Sequence, residues 1–175
     1  MIFPIKVTDH LAQYPQHHYT ISGVPLPYDV HDPAITDEQV STALGFLCHL
    51  VALTSKYLAV PLRYSIVCKW SRSAILFDEG SRRRRVPGAA EHGGPAAAVR
   101  AASASKVVYP LFRERGVIAP EQLEFGWTLL GRDVDCLLRT RRVDGRSEWH
   151  ALAKMDRLLT HAIEGEDPSF RGNAG

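Results

Sequence analysis

The sequence predicts an α+β fold in which about three helices cover a largely antiparallel sheet. Short runs rich in β-branched and aromatic residues, punctuated by proline and glycine, fill the first 35 residues and return between residues 62 and 112. Each group is followed by a longer segment whose large apolar residues recur at spacings of four and three, the period of a helix with one face in a core. Strand pairs followed by helices thus repeat along the chain as β-sheet and α-helix units, without a direct repeat of sequence.

The 175 residues suit one domain, residues 1–165, because a chain of this size buries about two-thirds of its unfolded surface around a single core. Residues 166–175 read as a disordered tail. A net charge of +2 leaves no whole-molecule field to gather polyanions, so any anion preference must be local. Cys48, Cys68 and Cys136 are widely separated and lack CxxC spacing, which points away from a disulfide framework or zinc site and toward a reducing compartment. "MIFPIKVTDH" lacks the sustained apolar core of a signal peptide, and nowhere do about 18 apolar residues run together. The expectation is a soluble protein that meets membranes only from outside.

In chain order, "FPIKV" and "HHYTISGVPL" read as two short strands, broken by Gly23, Pro25, Pro27 and Pro33. Thr36 and Asp37 supply capping oxygens ahead of Val40, Leu44, Leu47, Val51, Thr54 and Leu58, a helical stripe that stops before Pro61. At roughly 1.5–3 kcal/mol per buried large side chain, its five Val and Leu residues contribute about 10 kcal/mol, so this is a core helix. "LRYSIVCKW" and "AILF" form a β-hairpin around the polar turn "SRS". Residues 79–106 read as a flexible low-complexity insertion, since 15 of the 21 residues from 86 to 106 are Ala, Gly, Pro or Ser and no stripe of large apolar groups orders them.

"VVYPLF" is a strand whose Pro110 suits an edge. Pro120 and Glu121 open a second helix with Leu123, Trp127, Leu130, Val134 and Leu137 on one face, packed beside the first. Ser147 caps a third, in which Trp149, Leu152, Met155, Leu159 and Ile163 share a face before Gly165 and Pro168 end it.

Chemistry is sparse. No G-x-S-x-G elbow is present, and "EHGGPAAAVR" lacks the lysine and the strand-to-helix setting of a phosphate loop. His17 and His18, adjacent in a strand, point to opposite faces and make poor metal ligands. His49 and His150 have no H-x-x-x-H partner and read as surface or edge residues. Asp133 and Asp135, two apart on a helix, diverge by about 200 degrees and form no local carboxylate pair. Glu121 and Glu124 sit in a first helical turn, where the helix dipole accounts for them. An enzyme would require separated residues such as His49, Cys68 and Asp78 to converge. No enzyme, cofactor or metal is expected.

One stretch has a binding character. Lys69, Trp70 and Arg72 place an aromatic among cations, and Arg82, Arg83, Arg84 and Arg85 follow as four consecutive arginines. Nucleic-acid recognition also needs base-reading or stacking groups on a framework, and the surrounding alanine and glycine offer none, so no nucleic acid is expected as partner. Against an anionic membrane, four arginines at about 1 kcal/mol each give about 4 kcal/mol, roughly millimolar affinity, enough only for an auxiliary contact. These seven residues are the candidate anionic-membrane contact.

The segment "ALGFLCHLVALTSKYLAVPLRYSIVCKWSRSAI" resembles the C-terminal region of the UV radiation resistance-associated protein family. The pattern comprises Ala43, Leu44, Gly45 and His49 in a helix; Val60, Pro61, Leu62, Arg63 and Tyr64 leading into a strand; and the Ser71, Arg72, Ser73 turn. "FPI", "SGVPLP", "YPLF" and "EFGWTLLGRDVDCLL" follow the same order, so the resemblance covers nearly the whole chain up to the third helix. Ser65 and Trp70 stand where the family pattern has proline and glycine.

The resemblance implies a β-sheet and α-helix repeated fold similar to the autophagy-related domain of Beclin. It also implies a non-catalytic scaffold in a class III phosphatidylinositol 3-kinase complex, with a Beclin-like subunit and the catalytic and regulatory kinase subunits as partners. The location implied is cytoplasmic, peripheral on acidic endosomal or autophagic membranes. The related autophagy-specific subunit of the same complex is the near alternative, with "VPLRY" and "SRS" favouring the former; a small basic nucleic-acid-binding module is a remoter one. The family pattern also includes an upstream lipid-binding-type domain and a long coiled coil, so these 175 residues read as a fragment or a shortened relative.

Overall fold

Two left-handed residues turn the run "HHYTISGVPL" back on itself. Ser22 (φ 53°) and Gly23 (φ 79°) form a two-residue hairpin loop closed by the Ile21–Val24 pair, so the first 35 residues carry three strands and not two. A Ser-Gly loop with positive φ at both positions is a weaker signal in sequence than Asn-Gly. The computed structural model describes residues 4–8, 18–78, 106–145 and 150–164. Residues 79–105 of the insertion, the tail, His17, Arg82, Arg83, Arg84, Arg85, Ser147 and Trp149 lie outside these, whereas Lys106, assigned to the insertion, is strand and pairs with Asp78.

Strands β1 (Ile5–Thr8), β2 (His18–Ile21) and β3 (Val24–Leu26) make an antiparallel meander. Helix α1 (Asp37–Tyr57) follows. Its start is a reciprocal capping box: Gln39 N–H donates to Thr36 Oγ1 (3.2 Å), and Thr36 N–H donates to Gln39 Oε1 (3.1 Å). Val40, Leu44, Leu47, Val51 and Thr54 are buried as the stripe predicts.

The arrangement then repeats. Strands β4 (Ser65–Val67), β5 (Ala74–Asp78) and β6 (Lys106–Pro110) form a second antiparallel meander, and helix α2 (Pro120–Thr140) follows with Pro120 in its first turn. Both helices are 21 residues long. The antiparallel pairing is as expected, but it is divided into two three-stranded sheets, because α1 intervenes and no described strand pairs across. Pro110 lies at the end of edge strand β6, as its missing N–H requires. Helix α3 (Ala151–Glu164) packs on α2, with Leu152, Met155 and Leu158 buried. Among the described residues, no helix is long and apolar enough to cross a membrane.

His150 is not the surface or edge residue expected. It is only 6% exposed, stacks on Tyr19 of β2 (centroids 4.7 Å apart, 15° between planes) and accepts from Leu152 N–H through Nδ1 (3.2 Å). It lies just before α3 and ties that helix to the first sheet. An isolated histidine gives no sequence sign of such stacking, which needs a strand about 130 residues earlier.

Two buried polar devices join the units. Arg113, after β6, is 6% exposed, and its guanidinium donates through Nη1 to the carbonyls of Val30 and Asp32 (2.9 Å each) and through Nη2 to that of Ile35. Its Nε lies 2.8 Å from Asp37 Oδ1, and Arg115 N–H donates to Asp37 Oδ2 (2.9 Å). Burial opposes ionisation of Asp37, but the Arg115 N–H and the Arg113 and Arg115 charges outweigh it and hold the carboxyl below its ordinary value. The second device is Asp133, fully buried on α2. Its Oδ1 accepts from the backbone N–H of Arg63 (2.9 Å) and Tyr64 (3.1 Å), while Oδ2 has no hydrogen-bond partner among the described residues. Asp135 points elsewhere, to Lys154 (2.7 Å), so the two carboxylates diverge as expected.

Removing Arg113 leaves three carbonyls without their donor and Asp37 with Arg115 alone. Arg113→Ala should cost about 3 kcal/mol or more in urea unfolding, and Arg113→Lys should recover little, since an ammonium cannot span the fork. Asp133 behaves oppositely to Asp37. Burial raises it from 3.8 to about 6, against the Tyr64 and Arg63 N–H bonds and the Arg63 charge. The folded chain therefore keeps a proton that the unfolded chain releases. This contribution to stability is complete below the unfolded value and is lost as pH rises through about 6. Urea midpoints measured across that window should fall with rising pH, and Asp133→Asn should flatten the decline.

Candidate functional site

The turn that carries Lys69, Trp70 and Arg72 is built by Ser73 and by a glycine on another element. Trp70–Arg72 form one 3-10 turn between β4 and β5. Ser73, fully buried, accepts from Lys69 N–H through Oγ (3.0 Å) and donates that hydroxyl to the Trp70 carbonyl (2.7 Å). The Ser73 carbonyl accepts from Leu111 N–H (2.9 Å), which secures the turn to the end of β6.

Gly45 on α1 lies directly beneath. A Cβ there would stand 2.3 Å from the Trp70 oxygen, closer than real contacts allow. One helical turn later, His49 stacks its ring on the Trp70 indole (centroids 4.7 Å apart, 26° between planes), with Nδ1 3.2 Å from the Gly45 oxygen. Trp70 itself has φ 50°, a left-handed backbone that costs a non-glycine residue roughly 1–2 kcal/mol. Its side of the turn faces solvent, and the residue is 64% exposed.

Arg72 is also exposed, with Nη1 2.6 Å from Glu114 Oε2 and the guanidinium 4.9 Å from the Phe112 ring centroid. Lys69 is exposed and has no carboxylate within ion-pair distance among the described residues.

The motif residues thus come together as structure. Ala43 and Leu44 are core, Gly45 and His49 seat the turn, and Ser71, Arg72 and Ser73 form it. Pro61 and Arg63 are exposed or partly so, Leu62 is half-buried and Tyr64 is buried, with the Arg63 guanidinium 5.6 Å from the Tyr64 ring centroid. Their lead-in to β4 is held by Asp133, to which sequence spacing alone assigns no role. A signal is nonetheless present: Asp133 falls between Leu129 and Leu137 at i+4 steps, a charge on an apolar row. Glu114 and Phe112, partners of Arg72, carry no such sign.

The residues that an enzyme would require do not converge. His49 is engaged with Trp70. Cys68 follows the Val67–Ala74 end of the sheet, whereas Asp78 closes the other end of β5, about 13 Å along the strand. Burial pushes the Cys68 thiol up, and that of Cys48 further, which disfavours thiolate chemistry.

Residues 3–166 match the family described as "Vacuolar sorting 38 and autophagy-related subunit 14". The chain belongs to that family. Within this vacuolar sorting and autophagy-related family, it is 39% identical over 74 residues, 42% of the chain, to the UV radiation resistance-associated protein of Mus musculus. It is 35% identical over 77 residues, 43% of the chain, to vacuolar protein sorting-associated protein 38 of Schizosaccharomyces pombe (strain 972 / ATCC 24843). The matched segments span 10% of the mouse protein and 15% of the yeast one. No solved structure gives a significant match. The resemblance read from the helix, lead-in and turn motifs therefore holds at the level of the family.

Gly45→Ala should force the Trp70 turn off α1 and cost about 1–3 kcal/mol in urea unfolding. Gly131→Ala on α2, whose Cβ would meet nothing within 4 Å, should be neutral or stabilising by about 0.5–1 kcal/mol, and serves as the comparison.

Proposed function

We propose that this chain is a non-catalytic scaffold domain of a class III phosphatidylinositol 3-kinase complex. In this reading it packs against a Beclin-like subunit and supports recruitment of the kinase to endosomal and autophagic membranes. The observation that carries the proposal is the family match over residues 3–166, whose description speaks of vacuolar sorting and of an autophagy-related subunit. The character of the motif residues supports it: Gly45, His49, Ser73 and Asp133 seat, stack, bond and cap, and each acts on the shape of the chain. Among the two subunit types named in that description, the vacuolar-sorting type is favoured by the yeast relative's name.

The test is reconstitution of the kinase assembly with and without this domain. Its deletion should reduce recruitment to anionic vesicles and phosphatidylinositol 3-phosphate output together, with catalytic activity on soluble substrate unchanged. Unaltered recruitment and output would overturn the proposal. So would isolation of the chain from cells without a Beclin-like subunit or lipid kinase.

A further inference from the structure

Trp70 does little for the fold relative to its size. Its left-handed backbone favours glycine, and the residue is 64% exposed. Yet the ring is held in one place. The Trp70 carbonyl is seated on Gly45 and bonded by Ser73, while His49 covers one face of the indole. An exposed aromatic with a fixed orientation loses little freedom when it meets a partner.

The surroundings indicate which partner. Trp70 is the one large exposed apolar residue on this turn; the other described ones, Tyr28, Tyr57, Val108, Val117 and Phe125, lie on other elements. A stable protein interface covers roughly 800 Å² on each side with several clustered anchors, which a single ring among polar groups does not supply. A bilayer surface asks for less. Tryptophan settles at the level of the headgroups, and lysine and arginine beside it meet lipid phosphates. Lys69 and Arg72 flank the indole and are both exposed; the charge of Arg72 is shared with Glu114, and that of Lys69 is not neutralised by any described carboxylate.

We propose that Trp70, with Lys69 and secondarily Arg72, is a contact site for an anionic lipid surface, the indole entering the headgroup zone and Lys69 pairing with lipid phosphate. The site is weak alone and gains its effect through the other membrane contacts of an assembly. It deepens the functional reading above and rests on that reading's placement of the chain at a membrane.

The experiment is vesicle flotation of the full chain, alone and assembled with the lipid kinase subunits, on phosphatidylcholine vesicles with and without phosphatidylserine. Trp70→Gly should lower partitioning onto phosphatidylserine vesicles about tenfold, the share expected from one indole leaving water. Trp70→Phe should restore most of it. Lys69→Glu should lower binding about fivefold or more on phosphatidylserine vesicles and leave binding to phosphatidylcholine alone unchanged.

Trp70→Gly should melt within a few degrees of the parent, because relief of the left-handed backbone offsets the lost His49 contact and the added freedom of glycine in the unfolded chain. A retained melting transition keeps a loss of flotation from being assigned to unfolding. Flotation of Trp70→Gly equal to the parent would overturn the site. Loss of kinase subunits from Trp70→Gly, with flotation of the remaining assembly unchanged, would also overturn it and mark Trp70 as a protein-docking residue. If the parent chain fails to assemble with the kinase, the functional reading falls, and the flotation ratio of the chain alone still decides the site.

Discussion

The second sheet depends on two places where a helix has no side chain. The Trp70 carbonyl, in the turn between β4 and β5, lies where a Cβ of Gly45 would be, at 2.3 Å. The Pro110 carbonyl, at the end of β6, lies 2.9 Å from where a Cβ of Gly126 would be. The first glycine is on α1 and the second on α2, so one sheet is seated against both long helices by backbone contact. Alanine is the smallest alternative at either site and already needs space that is taken. The separation of these residues along the chain hides the fact that the helix motif and the turn motif are two sides of one contact.

The polar groups buried with this framework divide the labour. Asp133 holds the lead-in to β4 through two backbone N–H groups and has no guanidinium bonded to it, so burial raises its proton affinity. Asp37 sits between Arg113 and Arg115 and is held ionised. Both carboxylates link segments distant in sequence, and their titration runs in opposite directions because one has cations as neighbours and the other has mainly the protein interior.

The family-like residues therefore have a physical account that does not involve catalysis. Gly45 permits approach, Ser73 closes the turn, His49 covers the indole, and Tyr64 is placed by Asp133. What they present to solvent is a hydrogen-bonded turn that carries the exposed Trp70. In this family member the motif residues shape the second sheet and its turn.

Sequence alone determined the helices and their buried faces. The four-three spacing of Val40, Leu44, Leu47 and Val51, and of Leu123, Trp127, Leu130, Val134 and Leu137, is a local consequence of 3.6 residues per turn, and all are buried except Trp127, which is half-buried. It also determined the antiparallel strands around "SRS" and the edge position of Pro110, because turn chemistry and a missing N–H act within a few residues. Only the tertiary structure decided that there are two sheets, that Ser22 and Gly23 close a third strand, and that His150 stacks on Tyr19. It alone decided that Asp133 and Arg113 bond to backbone 69 to 83 residues away. Those outcomes depend on which surfaces meet after the chain has folded back, and spacing along a sequence does not encode the distance between elements that touch only in space.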